Sequence, residues 1–172
     1  MPRDENGPGA ECPPGDIGVD IMLTSRVDRM LAEHGDEVLA RMLTPAELGD
    51  CHRDGSLDIL SVAGRLAAKE AAFKTLNTSG VVLPWLAMEV RKAPGGKPVL
   101  SLRSTARRLA EQAGVSGIRI SIGHDGAYAV AIAAASPGSF PPPRTAPSAK
   151  ENSHGRTAAA DQGLDPQAPS RA

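Results

Sequence analysis

The periodicities of the sequence predict a single α+β domain over residues 16–136, with elements in the order β-α-α-α-β-β-α-β-β. Two observations carry this reading. Apolar residues recur at helical spacing through residues 61–80. Further on, two pairs of strand-like segments are each joined by a turn signal, Pro94-Gly95-Gly96 and His124-Asp125-Gly126. The length of 172 residues suits one domain of ordinary size. The flanks have a different character: residues 1–15 and 137–172 are rich in Pro, Gly, Ser and Ala without apolar periodicity. They are expected to be a disordered N-terminal extension and a disordered tail.

Taken in order, the domain opens with the apolar run Asp16-Ile17-Gly18-Val19-Asp20-Ile21, of strand type but interrupted by an acid. An aspartate in such a run is costly to bury unless it is paired or binds a cation. Asp20 therefore reads either as a cation ligand or as a strand-end or capping residue. Thr24 to Leu43 suits a helix, which Gly35 can divide in two. Thr44-Pro45-Ala46-Glu47 is a capping box with proline at the first helical position, a helix-start signal. Residues 49–56 read as a loop, with His52 on the surface. After the central helix, Ala87–Lys92 alternates, placing Met88 and Val90 on one face and Glu89 and Arg91 on the other. Val99–Leu102 returns as its hairpin partner, Ser104–Ala113 reads as a helix stopped by Gly114, and Ile118–Gly123 and Ala127–Ala135 form the second hairpin.

Composition removes several function classes. A formal net charge of −1 creates no basic field for nucleic acid, and four aromatic residues (Phe73, Trp85, Tyr128, Phe140) supply no base-stacking platform. So lean a core calls for completion by a partner subunit. Cys12 and Cys51 lie in polar segments and form no disulfide framework or zinc spacing. No apolar run is long enough to span a bilayer and the N-terminus lacks a signal peptide's basic and apolar regions, so a soluble, cytoplasmic protein is expected.

The central helix carries the candidate chemistry. Val62, Leu66, Phe73 and Leu76 share one stripe; Lys69 falls inside it, with Glu70 and Lys74 along its edge. Ala63, Ala67 and Ala71 surround Glu70, small neighbours that leave its carboxylate reachable by a hydrated ion. Glu70 and Lys74 are spaced as an i,i+4 ion pair. Alone, the stretch also reads as an amphipathic helix with a surface ion pair and a lysine stem lying over apolar surface.

Three blocks in order change that balance: Gly18-Val19-Asp20-Ile21; GRLAAKEAAFK from Gly64 to Lys74; and Gly96-Lys97-Pro98 with Ser121-Ile122-Gly123-His124 downstream. Together with the stretch from Met42 to Glu47, they resemble the 4'-phosphopantetheinyl transferases, specifically the short holo-[acyl-carrier-protein] synthase branch, across nearly all of residues 16–135. The resemblance implies that family's fold and transfer of the phosphopantetheine arm of coenzyme A to a serine of an apo acyl carrier protein, releasing 3',5'-ADP. It implies Mg2+ held by Asp20 and Glu70, which suits an ion that takes one or two carboxylates plus waters and substrate phosphates. It places Lys74 near the phosphates, and Arg65, Lys97, Pro98 and His124 along the coenzyme A site. Glu70, a metal-bound water and Lys74 all remain candidates to take the serine proton.

The family further implies a homotrimer with active sites between subunits, and docking of an acidic carrier protein on Arg26 and Arg41. The sequence departs from the family at Glu33 and Glu37, in a segment that is often basic. It departs also at Gly123, where a hydroxyl residue is usual, and at Asn77-Thr78-Ser79-Gly80, in place of a GTG turn. Two alternatives stand beside this reading: a non-catalytic module binding coenzyme A or a carrier protein, and a transferase specialised for polyketide or peptide-synthetase carriers.

Overall fold

A computed structural model of the chain describes residues 17–139; the expected N-terminal extension, and the tail beyond Ser139, lie outside the described residues. The chain starts with strand β1 (Ile17–Leu23), followed by helix α1 (Thr24–His34), a single turn α2 (Glu37–Ala40) and α3 (Pro45–Asp50). Gly35, at φ 69°, separates α1 from α2, as the sequence suggested. The Thr44–Glu47 capping box forms with both of its bonds. The expected loop at 49–56 instead contains a two-rung hairpin of β2 (His52–Arg53) and β3 (Ser56–Leu57), turned by Asp54-Gly55, both at positive φ. His52 is exposed there.

Helix α4 (Ile59–Lys74) begins two residues before Ser61 because the Asp58 side chain accepts a hydrogen bond from the Ser61 amide at 3.1 Å. A short 3-10 turn over Trp85–Ala87 leads to the hairpin of β4 (Met88–Lys92) and β5 (Pro98–Leu102), then α5 (Ser104–Gln112). Strands β6 (Val115–Asp125) and β7 (Tyr128–Pro137) close the domain. With β1 they form one antiparallel three-stranded sheet in the order β1-β7-β6, with Val19 opposite Ile132 and Ile132 opposite Ser121.

Helix α4 is the centre of the core. One of its faces lies on the sheet, where side chains are small: Ala63, Ala67 and Ala71 on the helix and Ala129, Ala131 and Ala133 on β7 are all fully buried. A Cβ built on Gly18 would fall 2.0 Å from the Ala71 carbonyl oxygen, so glycine is the only residue the closeness of helix and strand allows. The alanines around Glu70 therefore serve helix-to-sheet packing, a correction to the expectation that they leave the carboxylate open.

The opposite side of α4 holds a buried charge. Lys69, which falls inside the apolar stripe of the helix, is wholly inaccessible. Its Nζ donates to Glu47 Oε2 at 2.8 Å, to the Met42 carbonyl at 2.6 Å and to the Trp85 carbonyl at 2.9 Å. Glu47, equally inaccessible, also accepts from the Thr44 and Val90 amides. Burial pulls the Lys69 ammonium below the usual lysine range, opposed by the hydrogen bond and charge of Glu47. Glu89, on the face of β4 opposite Met88 and Val90, is likewise buried in the protein, where it accepts from Thr44 Oγ1 and pairs with Arg103.

The sheet face away from α4 is apolar and left uncovered by the other described residues. Ile17, Val19, Ile21 and Leu23 of β1 are between 41% and 70% exposed, and Tyr128 and Ile132 of β7 are 46% and 48% exposed. This face is a contiguous patch, of the kind that marks an interaction surface.

Because Lys69 and Glu47 are buried together, Lys69→Met strands the carboxylate without its cation. A loss of about 3–5 kcal/mol of unfolding free energy is expected in urea titration.

Candidate active site

Asp20 and Lys74 meet where β1 passes the C-terminal end of α4. Strand alternation turns Asp20 to the same side as Gly18 and the buried Met22, toward the helix. Lys74 Nζ donates to Asp20 Oδ1 at 2.9 Å and to the Val19 carbonyl at 2.8 Å. The lysine thus pairs with Asp20 across the strand, and not with Glu70 one turn back on its own helix as the i,i+4 spacing suggested. The other oxygen of Asp20, Oδ2, is buried without a hydrogen-bond partner. An uncompensated buried carboxylate oxygen is unfavourable.

Glu70 shares this corner. Partial burial raises its carboxyl above the ordinary glutamate value, and the charge of Asp20 pushes it the same way; Arg26 and Lys74 pull it back. Two acids within electrostatic reach, one with an unsatisfied oxygen, form a donor set that suits a small divalent cation completing its shell with water and phosphate oxygens. The described residues contain no cluster of three or more His, Cys, Asp or Glu side chains, so any cation here would rely on such outside ligands. Arg26, exposed on α1, reaches Glu70 with its charge. Arg41, also exposed, lines a groove with His34, Glu37 and Val38.

A second feature lies along the N-terminal half of α4. Residues of the β2–β3 hairpin, α4, the β4–β5 hairpin and β6 enclose a cleft of about 260 Å³. Arg65, Pro98 and His124, three of the predicted cofactor-site residues, line it together. Lys97 does not line it, although its neighbours Gly96 and Pro98 do; its carbonyl instead accepts from the Ala93 amide and closes the hairpin turn. His124 lies over Gly64, where an added Cβ would fall 2.9 Å from the ring Nε2, so the glycine of the GR pair admits the imidazole. Sequence reading did not single out Arg53, Arg91 and Lys92, whose cations join Arg65 and His124 around the cleft. Arg91 could be foreseen only as an outward residue of an alternating strand, and Arg53 sits in a segment read as loop.

Asp50 organises two of these cations. Its carboxylate accepts from Arg91 Nε at 2.7 Å and Arg91 Nη2 at 3.3 Å, and lies 3.5 Å from Arg65 Nη2. Burial works to raise its pKa, but the hydrogen bond and charge of Arg91, followed by Arg65, outweigh this and hold it below the ordinary aspartate value. Arg65, 4% exposed, also donates to the carbonyl and hydroxyl of Ser61.

The acid corner and the cleft occupy different ends of one helix. Gly64 and Glu70 are six residues apart, about 9 Å along the axis at 1.5 Å per residue. They also lie against opposite edges of the sheet, β1 on one side and β6 on the other.

A family profile described as the 4'-phosphopantetheinyl transferase superfamily matches residues 16–133. The chain is 40% identical over 119 residues to a holo-[acyl-carrier-protein] synthase of Desulforudis audaxviator, covering 69% of this chain and 90% of that one. Among solved structures it resembles the Bacillus anthracis holo-(acyl-carrier-protein) synthase in complex with CoA (3',5'-ADP), at 34% identity and a TM-score of 0.57, covering 73% and 97% of the two chains. The Helicobacter pylori synthase in complex with coenzyme A gives 29% identity, a TM-score of 0.58 and coverage of 70% and 99%. The chain belongs to the 4'-phosphopantetheinyl transferase superfamily. Within it, the similar proteins are holo-[acyl-carrier-protein] synthases.

The lowered Asp50 pKa has a consequence for acid stability. Its pairing stabilises the fold above the unfolded aspartate value, near 3.8, and that contribution is lost as pH falls through the lower folded value. Asp50→Asn is therefore expected to melt below wild type at pH 7, with the difference in melting temperature closing as the pH is taken below the ordinary aspartate range.

Proposed function

We propose that this chain is a holo-[acyl-carrier-protein] synthase: it transfers the 4'-phosphopantetheine arm of coenzyme A to a serine of an apo acyl carrier protein and releases 3',5'-ADP. The observation that carries this reading, in a chain of this family, is the buried unpartnered Oδ2 of Asp20 in one corner with Glu70 and Lys74. Asp20 and Glu70 would hold Mg2+, which supplies charge neutralisation at the pyrophosphate when bound. Lys74, already at the rim of that corner, places a cation where negative charge develops on phosphoryl transfer. The cleft along α4 takes the nucleotide end of coenzyme A, with the Arg65 guanidinium and the His124 imidazole facing its phosphates and Pro98 on its wall. Lys97, outside the cleft wall, would act on the ligand only from its rim.

A homotrimer supports this chemistry. The uncovered apolar face of the β1-β7-β6 sheet requires a partner surface, and copies of this chain would cover it. Because the acid corner and the cleft lie at opposite sheet edges within one chain, assembly would bring the corner of one subunit to the cleft of its neighbour. The acidic carrier protein would dock on α1 at Arg26, beside the acid corner, and on Arg41. No described helix is long and apolar enough to cross a membrane, which agrees with a cytoplasmic enzyme of fatty acid biosynthesis.

The direct test incubates the protein with coenzyme A, Mg2+ and apo acyl carrier protein and weighs the carrier by mass spectrometry. A gain of one phosphopantetheine, abolished by chelation, is the expected result. Asp20→Asn and Glu70→Gln should each lose nearly all turnover while keeping the circular dichroism spectrum of wild type. Near-wild-type turnover in both variants would remove these residues from the metal site. Coenzyme A binding without any transfer to several carriers would favour a non-catalytic module. Ile132→Asp, on the apolar sheet face, is expected to convert a trimer to a monomer by light scattering and to abolish transfer; a monomeric, fully active wild type would overturn the shared-site arrangement.

A further inference from the structure

An acidic residue set directly behind the wall of a cleft built for a polyanion is unexpected on charge alone, since its field opposes binding. Asp50 is such a residue. It does not line the cleft itself, yet it bonds to two residues that do: Arg91 on β4, gripped through both Nε and Nη2, and Arg65 on α4. Those two arginines come from different elements, and Asp50, at the last position of α3, is the link between them. Arg65 is nearly inaccessible, fixed from its other side by Ser61, whereas the Arg91 side chain is 44% exposed and has no other hydrogen-bond partner among the described residues. Left alone, a half-exposed arginine samples many rotamers and must be ordered when a ligand arrives.

We infer that Asp50 is a positioning residue for substrate: it pre-orders Arg91 against Arg65 so that the two guanidiniums present a fixed pair of donors to a phosphate of the bound nucleotide. The inference rests on the reading of the cleft as the coenzyme A site. The geometry gives the two effects of Asp50 opposite signs. As a charge, it weakens anion binding, and its removal should tighten it. As an orienting partner, it strengthens binding, and its removal should loosen it. The bidentate contact, 2.7 and 3.3 Å, favours the second.

The experiment titrates the full-length protein with 3',5'-ADP by calorimetry and measures KM for coenzyme A separately from kcat. Asp50→Asn should bind 3',5'-ADP about five- to tenfold more weakly, a change of about 1–1.4 kcal/mol. Its KM for coenzyme A should rise by more than its kcat falls, a split that general loss of folded protein would not produce. Asp50→Glu should recover part of the loss. Arg91→Lys provides the parallel test if Asp50→Asn does not fold, because it keeps the charge and gives up the two-pronged grip. Binding weakened in Arg91→Lys supports positioning, and wild-type binding overturns it. Equal or tighter 3',5'-ADP binding by Asp50→Asn would reduce Asp50 to a neutralising charge and overturn the inference. A wild-type protein that binds no 3',5'-ADP would instead overturn the reading of the cleft, and this inference with it.

Discussion

The ion pair between Lys69 and Glu47 is the constraint on which the rest of the structure depends. Both groups are wholly removed from water, so every hydrogen-bonding position left to them has to be filled from inside. Lys69 fills its three with Glu47, Met42 and Trp85; Glu47 fills its remaining capacity with Thr44 and Val90. One pair thereby fixes α4 against α3, the 3-10 turn and β4. A loose version of this arrangement would leave a buried charge uncompensated, so the helix has one rotational setting. That setting decides where Glu70, the next residue along, points.

The opposite face of α4 is set by size and not by charge. Gly18 and the alanines of α4 and β7 let backbone approach backbone, and the close approach carries Asp20 to Lys74. Polar anchoring on one side and small residues on the other hold two chemically different places on a single rigid helix. The acid corner lies near its C-terminal end and the cationic cleft along its N-terminal half. Placing both on one regular element keeps their separation fixed.

Much of this was legible in the sequence because it is local. The capping box at Thr44 to Glu47, the break at Gly35, the Pro94-Gly95-Gly96 turn and the alternation of the late strands each depend on residues within a few positions. The family resemblance likewise rests on short blocks, and it brought Asp20, Glu70 and Lys74 together on paper. The misreadings share a cause. Periodicity tells which side of an element a residue occupies but not what lies opposite. It sets Lys69 inside the apolar stripe without naming Glu47 as its partner, sets Glu89 on the face of β4 away from Met88 without naming Thr44 or Arg103, and leaves the alanines around Glu70 without the sheet that covers them. The β2–β3 hairpin escaped because two-residue strands carry no period.

The sequence by itself determined the longer elements and their order, the caps and turns between them, and Asp20, Glu70 and Lys74 as chemically capable residues, since backbone propensity and short spacing decide these. Only the tertiary structure decided which charge takes which partner. Lys74 joins Asp20 across 54 positions and Lys69 joins Glu47 across 22, while Arg65 and Arg91 share Asp50 from different elements. Such pairings depend on distances between elements, and those are fixed when helix and sheet pack together.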